Sequence, residues 1–144
     1  MARRDAVALL LVDLNEFKDI NDKFGHVAGD QLLTIAAQRL RKSLRSQDII
    51  GRPGGDEFVA LVPDVSSAVA DKLAKRLAQA LEEPYNIGTE TMSCAASIGL
   101  ALYPTNANTL TGLLREADQA MYRAKARTRG ATDLRHDDLL EKAI

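Results

Sequence analysis

The apolar positions of this chain fall into short runs of distinct period. From Val7 to Val12 every residue is apolar. A strand without alternation is covered on both faces, so this run predicts a central strand over 7–13. Residues 15–23 predict a short helix, with Asn15 as its N-cap. A longer helix is expected over 30–45, where Leu32, Leu33, Ile35, Ala36, Leu40 and Leu44 share one stripe. The runs 48–52 and 57–62 predict a hairpin. A helix over 66–82 turns Val69, Leu73, Leu77 and Leu81 inward, and Pro84 stops it. Residues 85–87 predict a short strand and 91–102 a longer one, with Gly99 as a bulge. The last helix, 109–127, buries Leu110, Leu113, Leu114, Ala117, Ala120, Met121 and Ala124. The polar tail from 131 is expected to be loosely held or to lead into a further segment. The order β-α-α-β-β-α-β-α suits helices packed on one sheet with an antiparallel hairpin.

The hairpin bend carries the most informative stretch, Arg-Pro-Gly-Gly-Asp-Glu-Phe over residues 52–58. Glycine accepts φ > 0 without a Cβ penalty, so a tight Gly-Gly turn is expected. Asp56 and Glu57 follow it directly. Acids at a bend have no packing role, which points to metal or phosphate chemistry; a solvated hairpin tip is the alternative. Asp13 ends the first strand. If the two strands are neighbours, Asp13 and Asp56 converge at one sheet edge. Hard cations such as Mg²⁺ take oxygen ligands and keep sites for water and phosphate oxygens. Ordinary strand-end turn aspartates are the bland reading. Strand alternation would point Glu57 to the face opposite Asp56.

Composition narrows the partners. The net charge is −1, with acids and bases interspersed, which argues against a nucleic-acid surface or an anionic membrane surface. A chain of 144 residues is one domain by the usual prior. Its longest apolar run is far below the ~20 residues a membrane span needs. No secretory signal precedes it. Cys94 is alone among apolar neighbours and reads as a buried strand thiol, which fits the cytoplasm.

Several further motifs surround the hairpin in a fixed order. Asp13 is followed by Leu14-Asn15-Glu16-Phe17-Lys18, then Asn21-Asp22, Gly25-His26 and Gly29-Asp30. Much later comes Ala117-Asp118-Gln119-Ala120-Met121-Tyr122-Arg123-Ala124-Lys125. From about residue 7 to about residue 130 the chain resembles the GGDEF family, the diguanylate cyclases. That resemblance implies an α/β (α+β) domain of the ferredoxin-like, nucleotidyl-cyclase and polymerase-palm kind, with a mostly antiparallel sheet flanked by helices. It implies a domain that binds GTP and, with a second copy, makes cyclic dimeric GMP.

The resemblance assigns roles by position. Asp13, Asp56 and the Leu14 carbonyl would hold Mg²⁺ or Mn²⁺. Glu57 would sit close to the metals and help activate the attacking hydroxyl. Asn15, Phe17 and Lys18 open the first short helix, whose free N–H groups suit phosphates. Relatives often carry aspartate where Asn15 stands. Asn21 and Asp30 would read guanine, since a carboxylate accepts from its N1–H and exocyclic amine. Gly29-Asp30 also reads as a helix N-cap, and His26 as structural or ligand-adjacent. Lys125 and Arg129 would meet the terminal phosphates. Relatives usually have glycine where Thr128 stands, so the helix is expected to run on and shift Arg129. Arg45 and Asp48 match an R-x-x-D site for inhibitory product, with Arg76 as a further arginine; an ion pair is the alternative.

One GTP signature per chain implies half a site, so two chains must meet as a transient homodimer. Two other functions stay open. One is a catalytically silent GTP-binding module regulating an attached phosphodiesterase, although Asp13, Asp56 and Glu57 are all present. The other is a cyclic dimeric GMP receptor acting through Arg45 and Asp48. Relatives begin with a leader helix before the first strand, so this chain is expected to be a domain of a larger protein, which can itself be membrane-anchored.

Overall fold

The computed structural model describes residues 6–129. Along the chain run β1 (Val7–Leu14), α1 (Phe17–Phe24), α2 (His26–Ser43), β2 (Ile49–Gly54) and β3 (Glu57–Pro63). They are followed by α3 (Ser67–Glu82), β4 (Tyr85–Ile87), β5 (Glu90–Met92), β6 (Ala96–Tyr103) and α4 (Leu110–Arg129). Four strands form one sheet in the order β2-β3-β1-β6, and every neighbouring pair is antiparallel. Without the separate β4–β5 hairpin, the path β1-α2-β2-β3-α3-β6 is the ferredoxin-like βαββαβ unit, as the sequence predicted.

The unbroken apolar run of β1 now has its cause. Ala8, Leu10 and Val12 pack with Leu32, Ala36 and Leu40 of α2 and with Leu73 and Leu77 of α3. Leu9 and Leu11 face the other way, against Leu113, Ala117 and Met121 of α4. An interior strand with helices on both faces needs apolar side chains at every position. The central strand therefore ends, at Asp13, between two filled cores.

Several local expectations are corrected. α1 starts at Phe17, and Glu16 takes the N-cap place in a left-handed conformation, φ 60°. Asn15 is not a cap; it is buried and turned toward β6. α2 starts at His26, because Gly25, at φ 93°, separates it from α1. Gly29-Asp30 is thus inside a helix rather than at its N-cap. A Cβ at Gly29 would collide with the Asn21 side chain, so the glycine lets α1 and α2 approach. In α3, Ser66 caps the helix by accepting from the Val69 N–H at 3.2 Å. Val69 is therefore in the first turn and exposed; Ala70, Leu73, Leu77 and Leu81 form the buried row.

The stretch 91–102 is two strands, not one. β5 pairs with β4, β6 pairs with β1, and residues 93–95 connect them. Cys94 is buried in that connection rather than in a strand, and burial pushes its thiol up to about 11. Gly99 is no bulge: it stands in register opposite Leu11. α4 crosses directly over it, and a Cβ would collide with the Ala117 carbonyl and lie 2.6 Å from the Met121 nitrogen. On α4 itself, Leu110 and Leu114 are exposed, since its contact row is Leu113, Ala117 and Met121.

The hairpin tip is Gly55-Asp56, with Gly54 inside β2 and paired to Glu57. Neither glycine adopts a positive φ, so the expected reason for the pair is absent. The register shifts between Gly51 and Gly54, beside Pro53, which cannot donate to the ladder. No helix among the described residues is long and apolar enough to cross a membrane. The tail from 131 lies outside the described residues.

Candidate active site

Strand register builds the site. Asp13 of β1 stands directly opposite Glu57 of β3 on one side and Ser97 of β6 on the other. Residues paired across antiparallel strands share a face, so these three side chains stand on the α4 side of the sheet. The tip holding Asp56 is pinned to the same strand end, where the Leu14 N–H donates to the Asp56 carbonyl at 3.1 Å. The Leu14 side chain is in the core, which leaves its backbone as the part that borders the site. From above, Lys125 of α4 places its ammonium against the Asp13 carboxylate as an ion pair. The convergence of Asp13 and Asp56 that the sequence suggested is present, and Glu57 joins it.

The electrostatics of this cluster are unfavourable for its acids. Burial raises the Asp13 carboxyl, Lys125 opposes that rise, and Asp56 adds to it. Burial also raises Glu57, followed by repulsion from Asp13, Asp56 and Asp118. Asp118 is raised by burial, with Lys125 opposing. Like charges directly opposite each other on a sheet destabilise it. In addition, Asp13 Oδ1 is buried without a hydrogen-bond partner. An orphaned carboxylate oxygen among mutually repelling acids fits a hard divalent cation, with Asp13, Asp56, Glu57 and the Leu14 carbonyl as the available oxygens. Among the described residues no three His, Cys, Asp or Glu side chains are placed to hold a metal by themselves. Water or phosphate oxygens would complete the shell.

A second group of the residues singled out by the sequence lies at α1 and α2. No side chain caps the N-terminus of α1, which follows the Asp13 strand end directly. Lys18 is exposed there, whereas Phe17 is buried and packs toward Gly29. Asn21 Oδ1 is buried and has no hydrogen-bond partner. Asp30 is exposed, in the second turn of α2, and opens a groove of about 1110 Å³ bordered by Leu33, Thr34, Arg52 and Phe58. His26 is the exposed first residue of α2.

The R-x-x-D residues stand apart from this cluster. Asp48 is buried, and its carboxylate accepts from the Arg45 N–H at 2.8 Å and from the Arg45 guanidinium at 3.1 Å. Arg76 of α3 reaches the same corner, donating to the Ser43 carbonyl at 2.9 Å. The three residues are thus neighbours at the end of α2, and Arg45 and Asp48 already satisfy each other.

Sequence reasoning gave no role to Asp118, Tyr122 or Ser97. Asp118 precedes Lys125 by two helical turns and Tyr122 lies between them, so helical spacing places them on one face. Ser97 becomes visible through the β1–β6 register alone. α4 continues through Thr128 to Arg129, as the missing glycine suggested; the side chains of both lie outside the described residues.

A ferredoxin-like sheet with an acidic hairpin tip beside a central-strand aspartate defines a GGDEF-type domain. Residues 1–131 match the family model "Diguanylate cyclase, GGDEF domain", and the chain belongs to that family. It is 43% identical over 133 residues to the diguanylate cyclase TpbB of Pseudomonas aeruginosa, covering 91% of this chain and 31% of that protein. It is 36% identical over 129 residues to the cyclic di-GMP phosphodiesterase PdeR of Escherichia coli, covering 90% of this chain and 20% of that protein. The crystal structure of the TpbB GGDEF domain superposes with a TM-score of 0.82 at 42% identity, covering 87% of this chain and 79% of that one. The chain thus spans a third or less of the length of these curated relatives. Cyclases of the family are generally dependent on a divalent metal.

Proposed function

We propose that this domain is a diguanylate cyclase half-site, which condenses two GTP into cyclic dimeric GMP with another copy of itself. The observation that carries the reading is the Asp13–Glu57 pair, opposed across β1 and β3 with Asp56 at the adjoining tip and Lys125 above. Asp13, Asp56 and the Leu14 carbonyl would hold Mg²⁺ or Mn²⁺, which supplies Lewis-acid polarisation of the phosphates when bound. Phosphates lie against the uncapped start of α1, at Phe17 and Lys18, with Asn15 in the preceding turn. Lys125 and Arg129 offset the charge that develops on the leaving pyrophosphate.

Guanine is read by Asn21 and Asp30, with His26 beside them. Adenine lacks the donor pair that Asp30 accepts, so GTP should bind well ahead of ATP. Glu57 takes the proton of the attacking 3′-hydroxyl; its raised pKa makes the ionised form a stronger base. Each hydroxyl attacks the other nucleotide's α-phosphate, forming one phosphodiester and releasing one pyrophosphate per chain. Product then inhibits by binding at Arg45, Asp48 and Arg76, where an arginine can grip phosphate or stack on guanine.

Incubation of the purified chain with GTP and Mg²⁺, followed by nucleotide separation, tests the reading. Cyclic dimeric GMP should appear, and Asp56→Ala should abolish it while circular dichroism stays unchanged. Product formed by Asp56→Ala at the wild-type rate would refute the assignment. A second reading is favoured by the likeness to a phosphodiesterase: a silent GTP-binding regulator of an attached phosphodiesterase domain. GTP binding with no turnover, even in a dimerised form, would select it.

A further inference from the structure

The turn between β1 and α1 is held in an unusual way. Glu16 adopts the left-handed region at φ 60° and ψ 24°, which costs a non-glycine residue energy that its surroundings must offset. No side chain caps the helix that follows. The tethers all act on the preceding residue, Asn15. Its N–H donates to the Ala95 carbonyl at 2.8 Å, and its carbonyl accepts from the Cys94 thiol at 3.3 Å. Its side-chain Oδ1 accepts from the Ser97 hydroxyl at 3.1 Å, and both side chains are buried.

The three tethers differ in strength and specificity. The backbone bond to Ala95 survives any substitution. A thiol is a weak donor. Ser97 is therefore the strong tether that depends on a side chain. It stands opposite Asp13 in the β1–β6 register, yet its hydroxyl is committed to Asn15 and Asp13 Oδ1 remains unpartnered. This hydroxyl serves the turn, not the acid cluster.

We infer that Ser97 is a positioning residue, which holds the Asn15–Glu16 turn so that the first N–H groups of α1 meet a nucleotide triphosphate. This inference rests on the GTP reading above. The guanine end is fixed elsewhere: Asn21, in the second turn of α1, is held by its packing on Gly29 of α2, and Asp30 is on α2 itself. Loss of the Ser97 hydroxyl should therefore weaken phosphate binding and spare base binding.

The test compares GTP with guanosine, which has no phosphates, as probes of wild type, Ser97→Ala, Ser97→Thr, Asn15→Ala and the Ser97→Ala/Asn15→Ala pair. Ser97→Ala should weaken GTP binding about threefold to tenfold, the worth of one buried hydrogen bond. Guanosine affinity should be unchanged, Ser97→Thr should restore GTP affinity, and the double variant should lose no more than Asn15→Ala alone. Without nucleotide, amide exchange at Asn15 and Ile20, whose N–H groups donate to the Ala95 and Glu16 carbonyls, should quicken in Ser97→Ala, with β6 protection unchanged. Equal losses for GTP and guanosine, additive losses in the double variant, or unchanged exchange at Asn15 and Ile20 would each overturn the inference. If the wild-type chain binds no GTP, the nucleotide reading itself falls, and unchanged exchange then removes the tether as well.

Discussion

Replacing Lys125 with methionine tests how the acid cluster is kept in place. Methionine matches lysine in helix propensity, so α4 itself should be unaffected. The change leaves the Asp13 carboxylate, 9% exposed, without its cation, and Oδ1 is already unpartnered. Removing one partner of a buried ion pair costs about 3–5 kcal/mol. The Lys125 side chain is 21% exposed, so solvent screens part of the pair and about 2–3 kcal/mol is the better expectation at neutral pH. At about 3 °C per kcal/mol for a domain of this size, melting should fall by about 6–9 °C in chelator-treated protein.

The pH dependence of that loss is the sharper test. The folded-state pKa of Asp13 is raised above its ordinary value, mainly by burial, and Lys125 holds the rise in check. Without the lysine it should rise further. A raised carboxyl binds more protons when folded than unfolded, so stability falls as pH rises through that window and recovers on acidification. Glu57 and Asp118, both raised, add the same sign. The penalty of Lys125→Met should therefore shrink from pH 7 toward pH 4. Adding Asp13→Asn should recover most of the loss, and Mg²⁺ should stabilise Lys125→Met more than wild type. A penalty that is independent of pH and untouched by Asp13→Asn would refute the argument.

Gly99→Ala should destabilise by about 1–3 kcal/mol in urea unfolding, because its Cβ meets the α4 backbone and not a movable side chain; a change under ~0.5 kcal/mol would contradict the close crossing. Arg45→Ala should weaken product affinity in calorimetry while GTP affinity holds. Unchanged product affinity would reduce that corner to an ion pair. Activity per chain should rise with protein concentration and rise further when a dimerising helix is fused, by effective concentration; flat specific activity in a monomeric sample would defeat the half-site model.

The sheet and its helices were legible because their signals are local. The unbroken β1 run, the α3 row at Leu73, Leu77 and Leu81 and the Pro84 stop are patterns within single elements. Errors arose where a distant element decided the outcome. Gly99 reads as a bulge until α4 is laid across it. Val69 and Leu110 read as core until the helix start fixes which face turns inward. The start of α2 was missed because Gly25-His26-Val27 looks like a loop by composition, and Val27 is indeed 74% exposed. For the candidate site, Asp13 was visible as an acid at a strand end, and Asp56 and Glu57 as acids at a hairpin bend. Ser97 and Asp118 were not, since their places come from strand register and from α4 packing over the same face of the sheet.

The unpartnered and mutually repelling polar groups gather at one end of the sheet. Asp13 and Glu57 are like charges directly opposite one another. Asp13 Oδ1 and Asn21 Oδ1 are the buried side-chain oxygens left without partners among the described residues. Glu16 takes a positive φ in the turn between them, and nothing caps the helix it begins. Each of these costs stability, and the well-packed cores on both faces of β1 offset the sum. The far end of the same strand also has a residue at positive φ, Asp64 beside Pro63, but among the described residues it has no buried side-chain oxygen without a partner and no opposed like charges: Val7 faces Pro63 and Tyr103 in regular register. Unpartnered oxygens and opposed acids at one strand end are what is expected where a sequence serves a ligand rather than the fold. A divalent cation would quench the carboxylate repulsion, and a phosphate would occupy the uncapped amides.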